Sequence, residues 1–324
     1  MTTVDGQAPT LAEAAATAGA VRQAVRRVVV GKDHVVDLAV VTLLAEGHLL
    51  VEDVPGVGKT LLAKALARSI DCSVRRIQFT PDLLPSDVTG VSIWNQERGD
   101  FEFRPGAVFA NVVIGDEINR ASPKTQSALL ESMEEQQVTV DGTTYPLPPP
   151  FLVVATQNPV EMDGTYPLPE AQRDRFMVRV AMGYPRPEDE LRLLDTHVGD
   201  DPLLSLAPVA DAESVRRAVA AVRGVHVSDA LRRYVLDLTQ ATRTHPDLRL
   251  GASPRAGLQL VRAGRAMAAL QGRDHVLPDD VRALAGPVLA HRLLPSSRGR
   301  TARKDPSGVV AEIVGATPVP GARG

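Results

Sequence analysis

Residues 48–70 read HLLVEDVPGVGKTLLAKALARSI. A short apolar run, a Pro/Gly turn, a lysine and a helical stretch follow one another without interruption. The turn Asp53-Val54-Pro55-Gly56-Val57-Gly58-Lys59-Thr60 matches the phosphate-loop pattern G-x-x-x-x-G-K-[ST] at every fixed position but the first, where Asp53 replaces glycine. Such a loop works because backbone N–H groups, freed by glycine conformations, converge on one concavity at the positive end of a helix. Gly56 and Gly58 supply that freedom, Lys59 a point charge for the outer phosphates, and Thr60 a hydroxyl able to ligate Mg²⁺. The pattern carries this meaning between a strand and a helix, and HLLVE and TLLAKALARSI provide both. The alternative is a glycine-rich turn with a surface lysine. Since the first position only opens the turn, the Asp53 carboxylate is expected to face away from the phosphates. Nucleotide contacts are assigned to Asp53, Val54, Pro55, Gly56, Val57, Gly58, Lys59, Thr60 and Leu61, with Gly31, where the preceding helix stops.

A second element, NVVIGDEINRAS (111–122), is an apolar strand ending in Asp116-Glu117. A carboxylate at that strand end can hold Mg²⁺ through water, and a neighbouring glutamate can orient or deprotonate an attacking water. Alone, the pair reads equally as a polar strand exit; beside a phosphate loop it reads as chemistry. One strand, VRRIQF, lies in sequence between the lysine strand and the Asp-Glu strand, which separates the chain from simpler GTPase-like proteins.

Outward from these motifs, five segments read as buried parallel strands: HLLVED, VRRIQF, NVVIGDE, FLVVATQ and FMVRVAM. Their alternation with helical stretches predicts a doubly wound α/β sheet. Ahead of them, Thr10 and Glu13 have capping-box spacing for a helix to about Val29, and Val35–Glu46 forms a second. Gly99-Asp100 and Asp141-Gly142 predict two β-hairpins inserted in the domain, candidate partner contacts. Beyond Tyr184 helices are expected over about 187–197, 212–223, 228–244, 253–270 and 278–294, the last kinked or divided by Pro287. The predicted organisation is a flexible leader over 1–9, a nucleotide-binding domain over 10–184, a helical lid over 185–295 and a disordered tail over 296–324, rich in Pro, Gly, Ser and basic residues.

Composition bounds the function. Of 324 residues, 44% are hydrophobic but only 3% aromatic, so Ala, Val and Leu must fill the core. A net charge of −3, with arginines scattered among acids, gives no nucleic-acid footprint. The single cysteine, Cys72, excludes an internal disulfide and a cysteine zinc site and reads as a small buried hydrophobe. No apolar run is long enough to cross a bilayer and no leader has a signal-peptide pattern, which makes a cytoplasmic protein the expectation.

Taken together, VEDVPGVGKTLLAKALA, QFTPDLLPSDVTG, VVIGDEINRASPKTQSALLESMEE, VATQNPVEMDGTYPLPEAQRDRF and GASPRA resemble the MoxR family of AAA+ ATPases over nearly all of residues 20 to 295. The resemblance implies an AAA+ three-layer parallel-sheet domain of the ASCE phosphate-loop class with β-hairpin inserts, followed by a small all-α lid. It implies ATP hydrolysis with Mg²⁺ held at Thr60 and Asp116, and catalytic roles for Lys59 and Glu117. It places sensor 1 at Asn158, an arginine finger at Arg175, or at Arg173 beside it, and sensor 2 at Arg255. Arg120 is a further candidate to face a neighbouring subunit. Arg255 also stands in a helix's first turn, where a cation opposes the macrodipole and an anion would relieve the conflict. The implied assembly is a hexameric ring that remodels or activates proteins bearing a von Willebrand factor A domain, without nucleic acid or membrane insertion. The alternatives are an ATP-driven nucleic-acid motor, a metal-chelatase ATPase subunit, and an adaptor that binds ATP without useful hydrolysis.

Overall fold

The computed structural model describes residues 9–159, 164–196 and 201–320. They pack as two units, one within residues 21–212 and one within 213–324 joined by the segment before residue 21.

The first unit is built on a five-stranded parallel sheet: β1 (Leu49–Glu52), β2 (Val74–Gln78), β3 (Val112–Asp116), β4 (Leu152–Gln157) and β5 (Val178–Val180). Its order is β5-β1-β4-β3-β2, so β4 separates the lysine strand from the Asp-Glu strand. Register aligns the carboxyl ends: Glu52 lies opposite Gln157, and Gln78 opposite Asp116. Ligands of open α/β sheets bind outside these ends. β3 is buried throughout, as its unbroken apolar run requires. One sheet face, with Leu50, Val113 and Val153, packs in a cluster with Phe79, Leu129, Leu130, Met133 and Phe176. Helices Asp33–Leu44 and Lys59–Arg68 contact the sheet as well. β2 departs from expectation: at the sheet edge it has a single neighbour among the described residues, and of its five residues only Ile77 is buried.

Both predicted hairpins are present. Gly90–Asn95 pairs antiparallel with Asp100–Pro105, and Gln137–Val140 with Thr143–Pro146. Asp141 (φ 50°) and Gly142 (φ 80°) both take the left-handed region, as a two-residue turn of this kind demands. At the base of the first hairpin Gly90 (φ 97°) and Gly106 face each other's backbone so closely that neither has room for a Cβ. Near its tip Trp94 meets Phe101 edge-on at 5.1 Å, and Phe103 stacks on Tyr145 of the second hairpin at 4.0 Å.

The predicted domain limits shift. Residues up to 212 stay with the α/β unit because Ala210–Asp211 adds in parallel to Ile70–Asp71 and Arg68 donates to the carbonyls of Leu204 and Leu206. Residues 9–20 join the helical unit, where Glu13 pairs with Arg217 at 3.1 Å; the predicted flexible leader lies almost wholly outside the described residues. The helical unit holds Ala212–Arg223, Asp229–Thr244, Pro254–Leu270 and Pro278–Leu289. Pro287 lies inside the last of these, which ends two residues later and passes into a 3₁₀ turn, Ala290–Arg292. The unit is not helical throughout, since Leu248–Leu250 pairs with Leu294–Pro295. The expected disordered tail is also corrected over residues 296–320; residues 321–324 lie outside the described residues. Residues 297–301 and Pro306–Ala316 are helical, because Val309, Val310 and Ile313 recur at helical spacing and are buried.

Candidate functional site

The site forms where the sheet's carboxyl ends meet the start of helix Lys59–Arg68. Gly56 (φ 81°) and Gly58 (φ 90°) adopt backbone conformations unfavourable to other residues. No side chain caps this helix N-terminus, so its first amides face the concavity, a ready anion site. Lys59 Nζ donates to the carbonyl oxygens of Asp53 and Gln157, which fixes the ammonium between the ends of β1 and β4.

A cavity of about 410 Å³ opens here, lined by Gly56, Gly58, Lys59, Thr60, Asp116, Glu117, Thr156 and Asn158, with Arg76 and Gln78 at its edge. Thr60 Oγ1 donates to Asp116 Oδ1 at 2.9 Å, and Asp116 is 3% exposed. Two hard oxygen donors side by side, one a carboxylate, fit Mg²⁺. Arg76 Nε bonds Asp116 Oδ2 at 2.7 Å. Glu117 stands at φ 58°, a conformation that costs about 1 kcal/mol or more outside glycine. Its N–H is held by Thr156 Oγ1 at 3.0 Å, while that hydroxyl donates to Asp116 Oδ1 at 3.3 Å. The Glu117 carboxylate receives Gln78 Nε2 at 3.1 Å and pairs with Arg120 at 3.2 Å. Asn158 is buried, and its carbonyl accepts from Asn119 Nδ2 at 3.2 Å.

Beside it lies a second, more apolar cavity of about 600 Å³, lined by Val28, Val29, Val30, Lys32, the loop Pro55–Gly58, Leu61, Met182 and Tyr184. It shares the phosphate-loop backbone with the first. Apolar walls with few polar groups suit a flat aromatic ring.

Residues 48–178 match the model of the ATPase family associated with various cellular activities (AAA), and residues 240–313 match the AAA lid domain. The chain is 50% identical to the uncharacterized protein YeaC of Bacillus subtilis, over 91% of this chain and 92% of that protein. It is 45% identical to the chaperone MoxR1 of Mycobacterium tuberculosis over 83% of this chain and 74% of that one, and 36% identical to the protein MoxR of Paracoccus denitrificans over 84% and 87%. The chain belongs to the MoxR family of AAA+ ATPases. The crystal structure of a candidate ATPase from Cytophaga hutchinsonii superposes with a TM-score of 0.87 at 38% identity, covering 95% of this chain and 96% of the other.

This MoxR-family protein is therefore an ATPase, and most of the residues expected at its site converge. Asp53, Val54 and Gly31 do not line either cavity. The Asp53 carboxylate turns away, accepting the N–H of Val54 at 2.7 Å and of Gly183 at 2.6 Å. Gly31 (φ 73°) abuts the buried Asp189 carboxylate, which leaves no room for a side chain and makes it a packing position. Arg175 is half-buried; its N–H donates to the Gln172 carbonyl at 3.2 Å, but its guanidinium has no hydrogen bond or ion pair among the described residues, whereas Arg173 lies 4.0 Å from Glu170. Arg120 pairs with Glu117 of its own chain. Arg255 sits in the helical unit, in the first turn of Pro254–Leu270, behind the Ser253 cap.

Arg76, Gln78 and Thr156 of this MoxR-family site escaped the sequence reading. Each is fixed by strand neighbours that only the sheet order reveals. In the helical unit His245, Asp247 and Glu312 also cluster, but Lys304 Nζ occupies the space between Asp247 (3.0 Å) and Glu312 (2.9 Å).

Proposed function

We propose that this ATPase is a Mg²⁺-dependent ring machine, a hexamer, that remodels or activates partner proteins, with its shared sites completed by Arg175 of an adjacent copy. The observation that carries the reading is the convergence of the amide cradle, Lys59, the Thr60/Asp116 pair, Glu117 and Asn158 on one cavity of nucleotide-phosphate size. The apolar cavity next to the loop takes the adenine ring. Lys59 leaves its two carbonyls for the outer phosphates. Glu117, its backbone pinned by Thr156, orients and deprotonates the attacking water. Asn158 hydrogen-bonds the terminal phosphate or that water without adding charge. Thr60 and Asp116 hold Mg²⁺, which when bound neutralises charge on the phosphate oxygens. The freedom of the Arg175 guanidinium supports its use as a finger in trans, and the part of Arg255 as sensor 2 belongs to the same reading. The name of the mycobacterial relative, a chaperone, supports action on proteins, for which clients with a von Willebrand factor A domain are proposed.

Three measurements test this. Glu117→Gln should keep ATP affinity and lose at least about a hundredfold in turnover; retained turnover removes Glu117 from the chemistry. Lys59→Ala and Arg175→Ala should each be inactive alone, yet regain turnover when mixed, because some interfaces then join an intact cradle to an intact finger. No recovery, with turnover per chain independent of concentration, would sink the shared site. Glu117→Gln protein held in ATP should retain a von Willebrand factor A protein that the Lys59→Ala protein does not.

A further inference from the structure

The Asp116 carboxylate accepts three hydrogen bonds from its own chain. Oδ1 accepts from Thr60 Oγ1 at 2.9 Å and Thr156 Oγ1 at 3.3 Å, and Oδ2 accepts from Arg76 Nε at 2.7 Å. The two partners of this last bond are unlike in setting. The Asp116 side chain is 4% exposed, that of Arg76 51%. A carboxylate so deep in protein needs a cation close by, since an unpaired buried charge is strongly destabilising. Arg76 supplies it from β2, which has no neighbour on its far side among the described residues, and with half its side chain already in water the guanidinium can withdraw once another cation takes its place beside Asp116. The same guanidinium reaches further. Its Nη2 donates to Gln78 Oε1 at 3.1 Å, which turns the Gln78 amide nitrogen toward Glu117 Oε2, also at 3.1 Å. One arginine thus touches the metal-binding carboxylate directly and the water-orienting carboxylate through a single amide.

We infer that Arg76 is the exchangeable counterion of Asp116: it competes with Mg²⁺ for that carboxylate and so sets the Mg²⁺ concentration at which nucleotide is retained. The inference rests on the reading of Thr60 and Asp116 as the Mg²⁺ site. Its direction is unusual for a residue in a binding site. Removing a merely structural arginine weakens ligand binding, whereas removing a competitor lowers the metal requirement.

The test is retention of a fluorescent ADP analogue by the full chain, titrated with free Mg²⁺ at constant ionic strength. ADP is chosen because it lacks the terminal phosphate to which an arginine could also contribute. Arg76→Gln and Arg76→Met should each lower the half-saturating Mg²⁺ about three- to fivefold, the size expected for one half-exposed ion pair. Arg76→Lys, which keeps the charge, should move it less than either. Half-saturation that is unchanged or raised in both neutral variants overturns the inference. Failure of the underlying metal site would look different: wild-type protein would retain ADP equally with and without Mg²⁺, and Thr60→Val would change nothing.

Discussion

Thr156 illustrates how one side chain can set the geometry of another's chemistry. Glu117 occupies a left-handed conformation that its side chain disfavours, and the Thr156 hydroxyl compensates by taking its N–H. Thr156→Val keeps the shape but removes that acceptor and the bond to Asp116. The expected result is a drop in kcat of about tenfold or more with ATP affinity nearly unchanged, read from steady-state turnover beside equilibrium nucleotide binding. Asp53 is the converse case, a residue that departs from the loop pattern and acts on the loop's shape. Its carboxylate ties the turn to Gly183, so Asp53→Ala should lower stability by about 1–2 kcal/mol in chemical denaturation. Cys72 is half-buried, and burial, helped by the neighbouring Asp71 carboxylate, pushes its thiol up to about 11. It stays protonated at neutral pH and should alkylate slowly.

Elements show where local sequence signals were sufficient and where they were not. The phosphate loop, the Asp-Glu strand and both hairpin turns were legible because each is fixed by a few adjacent residues: Gly58-Lys59-Thr60, the run Val112–Asp116, and Asp141-Gly142 with positive φ at both positions. Arg76 and Gln78 were not, because their role follows from β2 lying beside β3 in the sheet, a neighbour relation that no spacing encodes. The C-terminal helix was obscured by composition. Pro, Gly and Ser around PSGVVAEIVGA drew attention from three apolar residues at helical spacing. Since Ile313 is 5% exposed, Ile313→Ala should cost about 2–4 kcal/mol, measured as a lowered denaturation midpoint of the helical unit. The stacking of Phe103 on Tyr145 links the two hairpins. A double-mutant cycle through Phe103→Ala and Tyr145→Ala should return a coupling of about 0.5–1.5 kcal/mol.

On the scale of the whole molecule, the helical unit carries a response to acid. In the helical unit Asp247 accepts from Lys304 and faces Arg298 and His245, and that company, Lys304 first, holds its carboxyl below the usual aspartate range. A carboxylate whose pKa is lowered by folding stabilises the folded state above its unfolded pKa of about 3.9 and loses that contribution as pH falls through the lower folded value. The thermal unfolding midpoint of the helical unit should therefore fall as pH drops below about 4, and Lys304→Met should flatten that dependence. The α/β architecture and the site's two carboxylates could be read from alternation and motif. The division of the chain could not, because it depends on Ala210–Asp211 adding to Ile70–Asp71 and on the capped first helix starting in one unit and ending in the other.

The first hairpin carries a practical corollary. The chain has one tryptophan, and Trp94 stands half in water near the hairpin tip with Phe101 as its one aromatic neighbour among the described residues. Intrinsic emission excited at the indole band therefore originates from a single spot on the surface. A client or a second copy that covers the tip would shift that emission to the blue without any label, whereas events confined to the nucleotide cradle would leave the colour unchanged unless the hairpin moves with them.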